Sequence, residues 1–250
     1  MPDPPLRPGA SLRIDAAIGE RHPEILVGGL LASGLRGAAA TAADLPFPDD
    51  TAQALVNQDV TIELVADHPL VRDWRRAIAS CGLKPSTFKP GPEQRARRAL
   101  KGDLARTPLP LVDMYVEVTA RHLAGVSGYD VARLPSHDVA LRLADPLADT
   151  FLPLGARTGD TPLTERVAVY ASGSTVLSWA YNSRESLQTC FTPATEVGLF
   201  LGEAVTAVQH DALRAALDDL AGRLRAAGAT VGPTVYASRD EPVAKFSLED

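Results

Sequence analysis

The stretch Pro110-Leu111-Val112-Asp113-Met114-Tyr115 opens a segment in which apolar residues recur with helical period as far as residue 123. Gly128-Tyr129-Asp130 follows it, and later comes Tyr181-Asn182-Ser183-Arg184-Glu185-Ser186. These three pieces place acids, an amide, an arginine and several hydroxyls at the ends of helical and strand patterns. Polar residues in such places are typical of binding sites on a rigid scaffold. We therefore take the three pieces as the candidate functional site.

Around this stretch, the hydrophobic pattern predicts an α+β fold, because helical patterns dominate the first half of the chain and strand patterns the second. Helices are predicted from residue 52 to 65, after Asp49 and Asp50, and at residues 71–78, 93–101, 111–123 and 205–224. Strands are predicted at residues 24–31, 139–143, 150–154, 166–171, 175–179, 196–201 and 234–237, with a loop at 155–162. The Pro-rich residues 1–10 are expected to be flexible. Because no linker interrupts residues 11–250, we expect a single domain there, with a mixed β-sheet core and packed helices.

The composition is that of a globular protein, with 45% apolar and 22% charged residues in a chain of 250. The longest apolar stretches are shorter than the roughly 18–20 residues that span a bilayer. The N-terminus lacks the basic and apolar regions of a secretory signal. Cys81 and Cys190 form no metal or redox pattern. A cytoplasmic protein with two reduced thiols, not bound to a membrane, is the expectation.

The charge is unevenly distributed along the chain. The formal net charge is -6, yet Arg72 to Arg106 holds ten Lys and Arg residues against three acids, a local net of +7. Arg95, Arg98 and Lys101 recur at three-residue spacing on a predicted helix. Such a concentrated basic patch on an acidic body suits a partner with a phosphate backbone. The alternative is a solvated, arginine-rich helical face without a partner.

Several common chemistries have no pattern in this sequence. The five histidines are scattered and show no pair at metal-ligand spacing, so no metal site is expected. No glycine-rich phosphate loop of the P-loop or Rossmann type is present. Ser172-Gly173-Ser174 lacks the preceding glycine of a nucleophile elbow. We therefore expect neither a metal nor a cofactor.

The polar residues of the candidate site have both a functional and a structural interpretation. Glycines around Ser127 and Gly128 allow a ligand close to the backbone and leave N–H groups for an oxyanion. Alternatively, Asp130 caps a helix or turn, Asn182 is a turn residue, and Arg184 pairs with Glu185 on the surface. The candidates for substrate binding, by virtue of their hydroxyl, carboxylate or guanidinium groups, are Asp113, Tyr115, Tyr129, Asp130, Tyr181, Arg184, Ser186 and Thr189.

In order and spacing, the three pieces resemble the B3/B4 domain of the beta subunit of bacterial phenylalanyl-tRNA synthetase and its free-standing relatives. Leu111-Val112-Asp113-Met114 is similar to that domain's Val-Val-Asp-Ile segment, and Gly128-Tyr129-Asp130 to its aromatic-Asp element. Phe151-Leu152-Pro153-Leu154-Gly155 is similar to its next strand and turn. The resemblance spans residues 84 to about 202. Ser127 departs from the pattern, since the synthetase domain has a histidine there, and that histidine's role does not transfer.

The resemblance implies a trans-editing hydrolase that acts in translation quality control, without a cofactor. Its substrate would be the ester between an amino acid and the terminal ribose of a wrongly charged tRNA. The catalytic residues would be Ser127 and Gly128, whose N–H groups receive the oxyanion, and Asn182 and Glu185, which orient the water or the α-amino group. Arg95, Arg98 and Lys101 would contact tRNA phosphates.

Both the amino acid on the substrate tRNA and the type of activity have alternative interpretations. A pocket with Asp113, Asp130 or Glu185 could pair with a guanidinium-like group. Free-standing relatives include deacylases of tRNA(Arg) charged with canavanine, an arginine mimic, so canavanyl-tRNA(Arg) is the specific hypothesis. Aromatic or small polar amino acids stay open. The chain could instead be a non-catalytic tRNA-binding module, or a small-molecule hydrolase or amino-acid sensor that uses the same pocket without RNA.

Overall fold

The structure, a computed structural model, describes residues 9–44, 50–104, 106–155 and 161–248. Asp49, most of the predicted flexible N-terminus and residues 156–160 of the predicted loop lie outside these ranges. The described residues form two β-sheets packed face to face, with helices on the outer face of the second sheet. The predicted α+β class is confirmed.

The helices of the described residues are α1 (Ala16–Arg21), α2 (Leu35–Asp44), α3 (Thr51–Val56), α4 (Pro69–Ser80), α5 (Gly91–Leu100), α6 (Pro110–His122) and α7 (His210–Ala226). The strands are β1 (Ala10–Ile14), β2 (Leu26–Ser33), β3 (Gly125–Asp130), β4 (Asp138–Leu143), β5 (Ala168–Ser172), β6 (Thr175–Trp179), β7 (Arg184–Glu185), β8 (Val197–Ala204), β9 (Thr230–Val231), β10 (Val235–Ser238) and β11 (Val243–Phe246).

The two sheets differ in strand direction. The first has the order β11-β1-β4-β5-β6-β7 and is mixed, because β1 and β4 run parallel while its other pairs are antiparallel. The second has the order β10-β2-β8-β3, with β9 added to β2, and is antiparallel throughout. Strand β3 is therefore an edge strand, and one side of it is open to other groups.

Because side chains alternate between the two faces of a strand, the second sheet separates the apolar core into two parts. Leu31 and Leu201 face the first sheet, whereas their neighbours Leu30 and Phe200 face α6 and α7. A third apolar cluster joins α3, α4, α5 and the end of α6. Helices α5 and α6 are thus fixed to one another and to β3, which places them beside the open edge of the second sheet.

Two sequence predictions of local structure are wrong. The helix after Asp50 ends at Val56, and turns follow it, with Asp59 at a φ of 60°. Residues 150–154 form only isolated bridges at Thr150 and Pro153, since proline has no N–H to continue a ladder. Of the predicted flexible residues 1–10, the structure describes only Gly9 and Ala10, and Ala10 begins β1 by pairing with Phe246. Helices α1 and α2 and strands β1, β3, β7, β9 and β11 were not predicted.

None of the helices within the described ranges is long and apolar enough to cross a membrane. Across the same ranges, no group of three or more His, Cys, Asp or Glu side chains is arranged to hold a metal ion. Cys81 is buried and Cys190 half-buried, and both are free thiols.

Candidate functional site

A cavity of about 200 Å³ lies where α5, α6 and the open edge of β3 meet the segment 182–185. The helix starts fix its walls: proline occupies the first turn of both α5 and α6, where its missing N–H needs no partner. At Gly91 an added Cβ would lie 3.2 Å from the Asn182 carbonyl oxygen, so the start of α5 packs closely on this segment. The described lining residues are Gly91, Gln94, Arg95, Tyr115, Val116, Thr119, Gly125, Val126, Ser127, Leu154, Gly155, Asn182, Ser183, Arg184 and Glu185.

A strained turn presents the segment 182–185 to the cavity. Ala180 and Tyr181 both adopt left-handed backbone conformations, with φ of 50° and 60°. Each costs a non-glycine residue roughly 1–2 kcal/mol. The Ser178 hydroxyl holds the turn by donating to the Tyr181 carbonyl at 2.8 Å, and the Tyr181 N–H donates to the Ala168 carbonyl at 3.1 Å. Such strain is common where a backbone must place functional side chains.

Glu185 is the central polar group of the cavity and the only carboxylate among its described lining residues. The Tyr115 hydroxyl donates to Glu185 Oε2 at 3.1 Å. Burial raises the pKa of Glu185, while the hydroxyls of Ser127 and Tyr115 and the charge of Arg95 act in the opposite direction. Burial likewise lowers the pKa of Arg95, against the favourable charge of Glu185. The cavity therefore holds a partly buried carboxylate and a partly buried guanidinium whose charges attract each other.

A buried network lies beneath Asn182 and includes Glu203, which the sequence analysis missed. Glu203 is 2% exposed, and its carboxyl accepts from the Tyr170 hydroxyl at 2.9 Å and from the Asn182 N–H at 3.1 Å. Burial raises its pKa to about 8, although these hydrogen bonds lower it. An acid inside the apolar strand β8 was the available sequence signal, because unpaired acids are rarely buried.

The Asn182 side chain is nearly saturated by this network. Its Nδ2 donates to Glu203 Oε2 and to the Leu201 carbonyl, and its Oδ1 accepts from the Tyr129 hydroxyl at 2.8 Å. An amide carries two donor hydrogens and two acceptor sites, so only one acceptor site of Oδ1 remains. Asn182 can thus accept a hydrogen bond from a ligand but cannot donate one. Tyr129 does not line the cavity, and it supports Asn182 from beneath.

Asp113 and Asp130 do not line the cavity, so the predicted acid-rimmed pocket is not what the structure shows. Asp113 accepts from the Thr107 N–H at 2.8 Å and braces the approach to α6. Asp130 accepts from the Ala132 N–H at 3.0 Å and from the Thr195 hydroxyl at 2.7 Å, which is a capping arrangement. Both carboxylates are buried and satisfied by local donors, which is the structural interpretation of these residues.

Tyr181, Ser186 and Thr189 are also buried outside the cavity. The Tyr181 hydroxyl bonds His22 Nε2 at 2.6 Å in the main core. The Ser186 hydroxyl accepts from the Gln188 N–H at 3.2 Å. The Thr189 carbonyl accepts from the Asp130 N–H at 2.9 Å. These three residues support the loop around the site without facing a ligand.

Ser127 and Gly128, the predicted oxyanion site, have different surroundings on strand β3. Gly128 packs under Phe191, where an added Cβ would lie 2.7 Å from the Phe191 ring, and it does not line the cavity. The N–H groups of Val126 and Asp130 point away from β8, so alternation directs the Ser127 N–H into the β3–β8 ladder. The Ser127 hydroxyl, which acts on Glu185, is what this residue offers the cavity.

Ion pairs change how the positive charge of residues 72–106 is presented to solvent. Buried Glu93 pairs with Arg75 at 2.7 Å and Arg97 at 2.9 Å, so part of the local positive charge is neutralised. Arg95 turns into the cavity instead of facing solvent, contrary to its predicted role as a phosphate contact. Arg98 and Lys101 remain exposed, at the end of α5. The structure thus keeps two of the three predicted phosphate contacts on the surface.

A scan of protein-family models and a search of curated proteins gave no match to this chain.

Proposed function

We propose that this protein hydrolyses the ester that joins an amino acid to the terminal ribose of a mischarged tRNA. The observation that supports the proposal most is Glu185, a carboxylate with a raised pKa beside the Arg95 guanidinium in an open cavity. Exposed Arg98 and Lys101 extend along the same helix, α5, toward a phosphate backbone. Amino-acid-sized space, a candidate base and a cationic approach are therefore adjacent.

The reaction needs little beyond positioning and charge, because an aminoacyl ester is already activated. A water attacks the ester carbonyl carbon while Glu185 accepts its proton. The carbonyl oxygen becomes an oxyanion, which Arg95 stabilises. The bond to the ribose oxygen then breaks, and that oxygen takes the proton from Glu185 to give free amino acid and tRNA. A positioned base contributes typically 10²–10⁴ in rate, and an oxyanion donor 10²–10³.

The amino-acid specificity follows from the small number of acceptors. A canavanine side chain carries a guanidinium-like group, which needs an acceptor other than Glu185 because Glu185 serves as the base at the ester carbonyl. The free acceptor site on Asn182 Oδ1 supplies one. Canavanyl-tRNA(Arg) is therefore the first substrate to assay.

The test is a deacylation assay with full-length protein and a panel of tRNAs charged with canavanine, arginine, phenylalanine, tyrosine and serine. Release of canavanine from tRNA(Arg) at a rate well above the background is the expected result. Release from aromatic-charged tRNA alone would rule out the arginine-mimic specificity and leave the hydrolase. Salt-dependent tRNA binding with no release from any member would instead identify a non-catalytic binding module.

Reversing the charge of the exposed end of α5 should weaken tRNA binding. The double variant Arg98→Glu/Lys101→Glu removes two phosphate contacts, so affinity should fall at least about 10-fold and the slope of log K against log salt should decrease by about two. Filter binding at several salt concentrations measures both quantities.

The matched control for this variant is Arg225→Glu/Arg239→Glu, which makes the same change in net charge at exposed positions outside α5. It should leave the affinity within about twofold of the wild type. Equal losses in both double variants would show that only overall charge matters. Hydrolysis that survives unchanged in the α5 variant would favour a small-molecule substrate over tRNA.

A further inference from the structure

A second recess adjoins the cavity and shares part of its wall. This side lobe has a volume of about 180 Å³ and lies between α5, the segment before α5 and the end of β6. It shares three lining residues with the cavity, so the two recesses lie side by side. The shared residues are Gln94, Ser183 and Arg184, and the side lobe adds Phe88, Lys89 and Trp179.

The positive charges that line the side lobe favour an anionic ligand. Its described lining residues include Lys89 and Arg184 but no carboxylate, and no described carboxylate lies within ion-pair distance of either cation. Lys89 Nζ donates one hydrogen bond, to the Ser86 carbonyl at 2.9 Å, and an ammonium has three donor hydrogens. Two donors therefore remain for a ligand such as a phosphate.

The apolar side of the lobe is an aromatic surface. Phe88 is half-buried and packs edge-on against Trp179, with ring centroids 5.4 Å apart and an interplanar angle of 63°. Trp179 is only 1% exposed, so the part of this pair that a ligand can reach belongs to Phe88. Aromatic rings beside cations are the usual surface on which nucleic-acid bases stack.

The lobe also connects with the exposed cations of α5. Gln94, Arg98 and Lys101 follow at intervals of four and three residues, which places them on one face of the helix. Gln94 lines both recesses, and Arg98 and Lys101 continue from it toward the end of α5. A polar, cationic path thus leads from the surface of α5 into the side lobe.

We propose that the side lobe binds the terminal nucleotide of an RNA strand, with its base on Phe88 and its phosphate on Lys89 and Arg184. This inference rests on the proposed function, because it assigns the RNA end of the same site. The esterified ribose then lies near Ser183 and Arg184, which line both the lobe and the cavity. The amino acid enters the cavity toward Glu185.

The test measures binding of the labelled trinucleotide CCA to the full chain by fluorescence anisotropy, with AMP and inorganic phosphate as competitors. Lys89→Glu should lower CCA affinity at least 10-fold. Phe88→Leu, which keeps apolar packing but removes the ring, should lower it about 5- to 10-fold. Phe88→Trp should retain it, and the matched control Lys84→Glu, an exposed lysine outside the lobe, should stay within twofold of the wild type.

Wild-type CCA affinity in both Lys89→Glu and Phe88→Leu would overturn the proposal. Competition by inorganic phosphate with an affinity equal to that of CCA would also overturn it, because the lobe would then be a simple anion site. In deacylation assays, Lys89→Glu should raise KM and leave kcat unchanged. CCA binding that depends on Phe88 and Lys89 without any deacylation would refute the proposed function alone. Deacylation with unchanged KM in Lys89→Glu would refute the lobe assignment alone.

Discussion

Glu185→Gln is expected to lower the single-turnover rate of deacylation by about 10²- to 10³-fold, because it removes the base that accepts the proton of the attacking water. Glutamine is close in size to glutamate and can still accept from the Tyr115 hydroxyl. Substrate binding should therefore change little, and the loss should appear in kcat. Chemical quench of a mischarged tRNA substrate measures this rate.

The pH dependence of the rate gives this prediction a second readout. Burial raises the pKa of Glu185, so the basic form is lost at a higher pH than for an ordinary glutamate. The wild-type rate should fall as the pH decreases through that raised pKa, and the residual rate of Glu185→Gln should lack this limb. Glu196→Gln, an exposed acid near the start of β8, is the matched control. A wild-type rate in Glu185→Gln would contradict the mechanism.

Glu203→Gln is expected to abolish a large part of the pH-dependent loss of stability between about pH 4.5 and pH 8, the remainder coming from other buried acids such as Glu185. In the unfolded chain this carboxyl loses its proton near its ordinary pKa of 4.5, but in the folded chain burial raises the pKa to about 8. Between these values the folded chain binds more protons than the unfolded chain, so the free energy of unfolding falls as the pH rises. The difference in pKa corresponds to on the order of 5 kcal/mol at higher pH.

Urea unfolding at pH 5 and pH 8.5 measures this effect for both proteins. The wild type should lose several kcal/mol more than Glu203→Gln between the two pH values. The glutamine variant should be the less stable one at pH 5, because its amide faces the Asn182 donors and forfeits a hydrogen bond. Glu63→Gln, an exposed acid, should follow the wild type. Parallel curves for the wild type and Glu203→Gln would show that Glu203 ionises normally.

Local sequence signals determined most of the regular structure. The periodic apolar residues predicted both α6 and α7, and their predicted ends at residues 123 and 224 lie within two residues of the observed ones. The strands predicted at residues 166–171 and 175–179 correspond to β5 and β6, and Gly173, which adopts its φ of 57° readily, lies in the turn between them. These features depend on residues that are neighbours in the chain, and their physical chemistry is therefore contained in the sequence.

The site was predicted only in part. Ser127, Asn182, Arg184 and Glu185 lie together as expected, and Tyr115 joins them across the cavity. Asp113 and Asp130 were indistinguishable from Glu185 by composition, yet both are satisfied by nearby donors. The sequence marked polar residues at the ends of elements without showing which of them had a partner already.

Only the tertiary structure decided which acids are structural and which face the cavity. Pairing of β3 with β8 brings Glu203 beneath Asn182, and packing of α6 brings Tyr115 to Glu185, 70 positions later in the chain. Burial then raises the pKa of both acids, a property that no local pattern specifies. The sequence by itself determined where helices, turns and polar clusters occur, because those depend on short-range interactions. The chemistry of each carboxyl depends on desolvation and on partners from distant segments, which exist only once the sheets and helices have packed.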